Sequence, residues 1–351
     1  MTTSPALSIL DLIPVRTGQT SAQAIRASMG LVCRADELGL TRYWFAEHHN
    51  MPAVASTTPP VLAAAAAART SRIRVGSGGV MLPNHSPLVV AEQFAALEAL
   101  APGRVDLGIG RAPGSDPVIT QLLRMHGTTS DVERFPDYVQ DIQRLVGASG
   151  AALQFSSGGI YGVRATPAAT GEPEMWLLGS SDYSARLAAR LGLPYVFASH
   201  FGVSGLEVAL DLYRGGFQPS QACPEPRTFL TANAVAAASA EEAEERALPQ
   251  LRMMARLRTG RPLVPLESVE QAQAGEDDFD AAAQDVMRST RRSWFVGTGP
   301  DVAAGLRDFA AQWGVDEVMI SPVAAAYDAE PLDASPGRIR TAELVVEALA
   351  G

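Results

Sequence analysis

Short apolar runs and helical segments alternate eight times along this chain of 351 residues, and no other feature limits its fold as strongly. The runs fall at 7–13, 42–46, 73–76, 104–109, 175–178, 195–198, 228–236 and 315–320. Each has the length of a buried strand. Helix signals lie between them. Thr20 with Gln23 three residues on reads as a capping box, opening a helix that Gly39 stops. Thr58-Pro59, Ser86-Pro87 and Ser335-Pro336 put proline at a first helical position, and Gly299-Pro300-Asp301 opens a helix to about Trp313. Eight such units, joined by short connections without a break in composition, predict a (β/α)8 TIM barrel spanning 1–351 as a single domain. A doubly wound open sheet is the alternative arrangement of the same elements.

Two longer interruptions follow the fourth and seventh strands. The first holds a short helix capped by Asp116-Pro117, a helix at 131–146 and a hairpin at 150–163 centred on Ser156-Ser157-Gly158-Gly159. The second, 258–297, carries Pro262, Pro265 and the acidic Glu276-Asp277-Asp278, and shows no clear period. In a barrel both lie on the catalytic face, where loop elaboration is usual.

Hydrophobic residues make up 47% of the chain, enough to fill a barrel. A net charge of −10 argues against nucleic acid or an anionic membrane as the main partner. The first basic residue is Arg16 and no apolar core follows Met1, so no signal peptide is expected. The longest apolar run, 61–68, is mostly alanine and too short to span a bilayer. Two cysteines, Cys33 and Cys223, make neither a disulfide framework nor a zinc spacing. The expectation is a cytoplasmic protein.

A barrel carries its site at the carboxyl ends of its strands. The second strand ends abruptly in Glu47-His48-His49-Asn50, with two of the five histidines. The third ends in Gly78-Gly79, the fourth in Gly108-Ile109-Gly110-Arg111, the fifth in Gly179-Ser180-Ser181-Asp182-Tyr183-Ser184 and the sixth in Ser199-His200. Arg111 follows glycines that let the backbone approach a ligand, and a guanidinium matches phosphate with paired hydrogen bonds. Ser180, Ser181 and Ser184 open a helix, where free N–H groups and the dipole favour an anion. Together these form a monophosphate site; taken singly, the serines are ordinary N-caps and Arg111 a surface ion pair. Gly78-Gly79 is either a loop or a flat backbone surface for a ring system. Gly108-x-Gly110 is no dinucleotide fingerprint, because Pro113 takes the third glycine position. A metal site is not expected. His48 and His49 point opposite ways in extended chain, the fifth strand supplies no histidine, and the eighth ends in Ser321-Pro322 without a carboxylate. His85 and His126, in loops, are read as solvated or structural.

These residues resemble a family. Trp44-Phe45-Ala46-Glu47-His48-His49, Val75-Gly76-Ser77-Gly78-Gly79-Val80-Met81-Leu82-Pro83, Gly103-Arg104-Val105-Asp106-Leu107-Gly108-Ile109-Gly110-Arg111 and Phe295-Val296-Gly297-Thr298 are similar in order and spacing to the bacterial luciferase-like flavin monooxygenases. The likeness is to the single-component branch that includes oxygenases of bacterial secondary metabolism. It implies a barrel that binds reduced FMN from a separate NAD(P)H:flavin reductase, with O2 adding at flavin C4a and the peroxyflavin oxidising a small organic substrate. By the resemblance His48 is the catalytic acid or base. Gly78 and Gly79 form a non-proline cis peptide under the flavin ring. Arg111 binds the phosphate, Ser181 and Ser184 contact it, and Gly110, Gly179, Ser180 and Tyr183 complete the cofactor site. Glu47, His49, Asn50 and His200 are substrate-pocket candidates. Ser180 stands where luciferase has a glutamate and Gly110 where it has a reactive cysteine, which detaches the resemblance from the light reaction and its aldehyde. The segment 258–297 matches the region of a mobile lid, and the helices near 59–69 and 86–100 match a homodimer interface. Three alternatives remain open on these residues: F420-dependent hydride transfer on the same fold, a non-catalytic flavin-binding protein, and a metal hydrolase.

Overall fold

Inside–outside alternation along parallel strands builds the core. The structure, a computed structural model, describes residues 4–112, 114–115, 117–124, 132–168, 171–275 and 279–351. The strands are β1 (Ala6–Asp11), β2 (Arg42–Phe45), β3 (Arg74–Met81), β4 (Val105–Gly110), β5 (Ala151–Gln154), β6 (Ile160–Val163), β7 (Glu174–Gly179), β8 (Tyr195–Phe197), β9 (Thr228–Ala237), β10 (Phe295–Thr298) and β11 (Glu317–Pro322). Eight of them run parallel in the order β9-β11-β1-β2-β3-β4-β7-β8, and β8 pairs again with β9. That last pairing closes a TIM barrel and excludes the open sheet. β10 adds to the far half of β9, outside the ring.

The helices are α1 (Ser21–Glu37), α2 (Pro59–Ala67), α3 (Pro87–Leu100), α4 (Pro117–Arg124), α5 (Phe135–Val146), α6 (Asp182–Leu191), α7 (Leu206–Gly215), α8 (Ala240–Arg258), α9 (Val269–Ala274), α10 (Ala281–Arg291), α11 (Gly299–Trp313) and α12 (Pro336–Ala350). The Thr20–Gln23 capping box opens α1 as the spacing predicts. Thr58, Ser86 and Ser335 precede helices but make no side-chain cap bond. The prolines that follow them already preset the first turn. No helix among the described residues is long and apolar enough to cross a membrane.

Tyr43 and Phe45 point outward into the cluster under the helices, while Trp44 points inward. Inside the barrel Trp44 and Trp176 pack edge to face and both pack tilted against Phe229, at 4.9 to 5.9 Å between ring centroids, beside Leu10, Val196 and Met319. Below them the barrel is plugged by charge. Arg42 donates to Asp106 at 2.8 Å and to Glu317 at 2.8 Å, and Arg74 donates to Asp106 at 2.6 Å. The Arg42 guanidinium also lies 4.8 Å from the Trp176 ring centre. With aromatic rings and an ion-pair network filling the amino end, two large cavities lie at the carboxyl ends.

Two readings of the interruptions change. The segment 258–297, which shows no period in sequence, folds into α9, α10 and β10. α9 is opened by a Ser268–Gln271 capping box and α10 by Asp280, whose side chain accepts the Ala283 N–H. Both helices are too short for a periodicity signal and are held by packing on α8. The hairpin of β5 and β6 leaves the catalytic face. α5 carries the chain back, and Ala165 donates to the Leu145 carbonyl at its end. The chain then passes Glu98, whose carboxylate accepts the Gly103 N–H just ahead of β4 and approaches Gly171, so the hairpin joins at the amino ends. Asp116, residue 131, His126 and Glu276-Asp277-Asp278 lie outside the described residues.

Candidate active site

The alternation of β2 continues past its last ladder residue. Ala46 packs with the inner column, Glu47 is buried, and His48 faces the mouth of the barrel. The His48 backbone N–H donates to the Ser56 carbonyl at 3.0 Å, and Ser56 Oγ donates to the Ala46 carbonyl at 2.5 Å. These bonds fix the strand's exit.

Glu47 is 1% exposed and accepts three hydrogen bonds: from Met81 N–H at 3.0 Å, His49 Nε2 at 2.9 Å and His85 Nε2 at 2.8 Å. Burial alone raises its pKa, but the bonds from His49 and His85, the charge of His85 and the Met81 N–H outweigh burial and hold it at about 2. Glu47 is therefore a carboxylate that ties β2, the end of β3 and two histidines together. His85 is structural, as the sequence suggests. His48 differs: burial pushes its pKa below 6.5, opposed by the Glu47 charge, so the ring is neutral at pH 7. Its Nδ1 is enclosed and has no hydrogen-bond partner among the described residues.

His48 stands where two cavities meet. The inner one, about 250 Å³, has Gly78, Gly79 and Gly110 along one side. The Gly78–Gly79 peptide is cis, and a Cβ at Gly78 would lie 2.7 Å from Leu10 Cδ1 and 3.1 Å from Trp44 Cε3. Only glycine leaves that wall flat. Arg111, Gly179, Ser180, Ser181 and Ser184 close the other end. The Arg111 guanidinium stacks 3.9 Å from the Tyr183 ring centre and has no carboxylate partner among the described residues. Tyr183 thus supports Arg111 and is not itself in the cavity wall. Ser181 is the N-cap of α6, yet its hydroxyl makes no cap bond, so the first N–H groups of the helix are open. Ser184 is buried beside Gly179, where a Cβ would come within 2.4 Å of its Oγ. A cation, open helix N–H groups and serine hydroxyls at one end of a flat-walled slot fit a phosphate monoester attached to a planar ring system.

The outer cavity, about 460 Å³, shares Leu12, His48, Gly114, His200 and Phe201 with the inner one. His49 and Asn50 line it, and its far wall is apolar: Met253, Met254 and Leu257 from α8, with Leu263, Leu266 and Trp294. At the exit of β1, Ile13 has a positive φ of 51°, unusual for a β-branched residue. Its N–H is held by Asp11 Oδ1 at 2.7 Å, and Asp11 also accepts from Tyr43 Oη and Arg338, each at 2.5 Å. This turn sends Leu12 into the mouth. His200 contacts Thr231 Oγ1 through Nδ1 at 2.7 Å, and burial, with the charge of His48, pushes its pKa to about 3. Glu47 lines neither cavity and acts from behind.

Leu12, Thr231, Met253, Met254 and Trp294 were not singled out by sequence. Four of them sit in apolar runs that read as core, and Trp294 lies in the segment without a period. Among the described residues no group of three or more His, Cys, Asp or Glu side chains could hold a metal ion.

The chain belongs to the luciferase-like monooxygenase family, whose model matches residues 6–317. A luciferase-like monooxygenase of Escherichia coli strain K12 is 40% identical over 319 residues, covering 90% of this chain and 91% of the relative. An N-acetyl-S-alkylcysteine monooxygenase of Bacillus subtilis strain 168 is 34% identical over 325 residues, covering 92% and 94%. Among solved structures, apo-MsnO8 superposes with a TM-score of 0.85 at 32% identity, covering 100% of this chain and 99% of the other. The fold alone is shared with the FMN-bound oxygenating constituent of 3,6-diketocamphane monooxygenase from Pseudomonas putida, at TM-score 0.74 and 17% identity over 99% and 98% of the chains. An F420-dependent secondary alcohol dehydrogenase shares it at TM-score 0.64 and 14% identity over 99% of both. The protein is thus an enzyme of the luciferase-like monooxygenase family.

Proposed function

We propose that the enzyme is an FMN-dependent monooxygenase that oxidises a small organic substrate with O2. The observation that carries the reading is the joint cavity. A flat slot ending in Arg111, Ser181, Ser184 and the open start of α6 meets a larger apolar chamber at His48. In this reading Arg111, the serines and the α6 N–H groups hold the FMN phosphate, and Gly78, Gly79 and Gly110 face its ring. Bound reduced flavin supplies the electrons and activates the oxygen. The chain's residues orient it, exclude water and handle protons: the neutral His48 takes up or returns a proton at its ring nitrogen at the boundary of the two cavities. His49, Asn50 and His200 face the substrate, and Glu47 holds the wall behind them. The full proposal takes residues 1–351 as one domain, in the cytoplasm, served by a separate NAD(P)H:flavin reductase and paired through α2 and α3 as a homodimer.

The test is anaerobic titration with reduced FMN and, separately, reduced F420, followed by mixing with oxygenated buffer. Tighter binding of FMN and oxygen consumption after mixing support the proposal. Preference for F420 without oxygen uptake overturns it in favour of hydride transfer. His48→Ala should leave FMN binding nearly intact while lowering product yield; wild-type yield in that variant removes His48 from the chemistry.

A further inference from the structure

The wall between the two cavities contains a second imidazole whose protonation pattern is set by its neighbours. Thr231 Oγ1 makes three contacts: with the His200 backbone N–H at 3.1 Å, with His200 Nδ1 at 2.7 Å and with the Phe197 carbonyl at 3.3 Å. A hydroxyl has one hydrogen and two lone pairs. The carbonyl can only accept, and we take the hydroxyl hydrogen to point there. In that arrangement the backbone N–H takes one lone pair, the other is left for Nδ1, and Nδ1 is the donor. Ser199, the other hydroxyl near that carbonyl, is engaged with the Thr231 carbonyl at 2.5 Å and leaves the Thr231 hydrogen free for Phe197. Nε2 then carries an unprotonated lone pair with no protein partner among the described residues. The Phe201 ring, 4.1 Å away between centroids, and Asn233, which donates to the His200 carbonyl at 2.9 Å, hold the imidazole in place. Burial keeps the ring neutral at working pH, so one of its nitrogens carries a lone pair.

The chamber on its outer side carries no free charge among the described residues. Arg338, the one guanidinium in that lining, is committed to Asp11, Ser28 and the Pro322 carbonyl, and His49 is committed to Glu47. From these two facts we infer that His200 is a substrate-recognition residue: its Nε2 accepts a hydrogen bond from a hydroxyl or N–H group on an otherwise apolar, uncharged substrate held against Met253, Met254 and Trp294. The inference rests on reading the outer chamber as the substrate site. It deepens that reading by stating which functional group the substrate must present beside His48.

The test uses a probe with a donor, 2-naphthol, and its methyl ether without one, 2-methoxynaphthalene, titrated into the full-length chain with and without FMN. The wild type should bind 2-naphthol about tenfold more tightly, the fold-change of one net hydrogen bond. His200→Phe should abolish or invert this preference while keeping the affinity for 2-methoxynaphthalene, which also shows that the variant is folded. Thr231→Val, of similar shape, removes the acceptor that fixes Nδ1–H and should reduce the preference at least about threefold. Equal binding of the two probes by the wild type, or a preference that survives in His200→Phe, overturns the assignment. Failure of both probes to bind the wild type also overturns it, by removing the apolar chamber as substrate site. The flavin titration, which reads the inner cavity, is unaffected by either result.

Discussion

Glu47→Gln tests the carboxylate behind the site. The side chain keeps its shape and loses its charge. In the wild type the pKa is held at about 2 against 4.5 for an unperturbed glutamate. A difference of about 2.5 units at 1.36 kcal/mol each makes the ionised form worth about 3 kcal/mol to the fold. Because the group is 1% exposed, solvent screening removes little of this. Both histidines bond to Oε1 and the Met81 N–H to Oε2, so the single amide oxygen of the substituted side chain can serve one of those two positions, and the expected loss at pH 7 is about 2–3 kcal/mol. The pH dependence has a definite sign. The folded pKa lies below the unfolded one, so the stabilisation is complete above about pH 4.5 and is lost as pH falls towards 2. By about pH 3 roughly 2 kcal/mol of it is gone. Urea unfolding of both proteins, followed by circular dichroism from pH 7 down to 3, measures this directly. The gap between wild type and Glu47→Gln should be constant from pH 7 to 5 and shrink below 4.5. A gap under about 0.5 kcal/mol at pH 7, or one that does not narrow in acid, refutes the reasoning.

Two further outcomes are expected. Arg111→Met should weaken FMN binding by about ten- to a hundredfold, the loss of charge-assisted hydrogen bonds to the phosphate. It should leave the stability of the flavin-free protein nearly unchanged, because Arg111 has no carboxylate partner among the described residues; fluorescence titration and thermal unfolding separate the two effects. Ser181→Ala and Thr298→Ala form a contrasting pair. The Thr298 side chain accepts the Asp301 N–H at the start of α11, so its removal should cost about 1 kcal/mol. Ser181 makes no cap bond, so its removal should cost much less stability and lower FMN affinity instead. An equal stability loss in both would show that Ser181 is an ordinary cap.

The barrel was legible because each strand is an apolar run with its own helix signal, and eight repeats of one local pattern leave few ways to close. The inner cavity was legible for a similar reason. Glycine, serine and arginine at strand ends break local rules, and such breaks mark sites. Gly78, Gly79, Gly110, Arg111, Gly179, Ser180, Ser181 and Ser184 all line one cavity, with His48 and His200. Tyr183 carries no independent mark, and its place under Arg111 could not be read from a helix turn. The outer chamber was not legible. Met253, Met254 and Leu257 have the residue types of any buried helix face, and a side chain lining a cavity differs from one filling a core only in what stands opposite.

By itself the sequence determined the eight alternating strand and helix units and the cluster Glu47-His48-His49-Asn50 at the end of β2, but it placed Glu47 among the pocket residues, and only the structure turned it away from both cavities. The alternating units follow from local signals, apolar runs, caps and turn residues, that need no distant partner. Only the tertiary structure decided which histidine pairs with Glu47, that Thr231 on β9 meets His200 beyond β8, and that α8 and Trp294 roof the second cavity. These relations join residues far apart in the chain. They depend on how closure of the barrel and packing of the 258–297 segment place each side chain, and no short stretch of sequence encodes that.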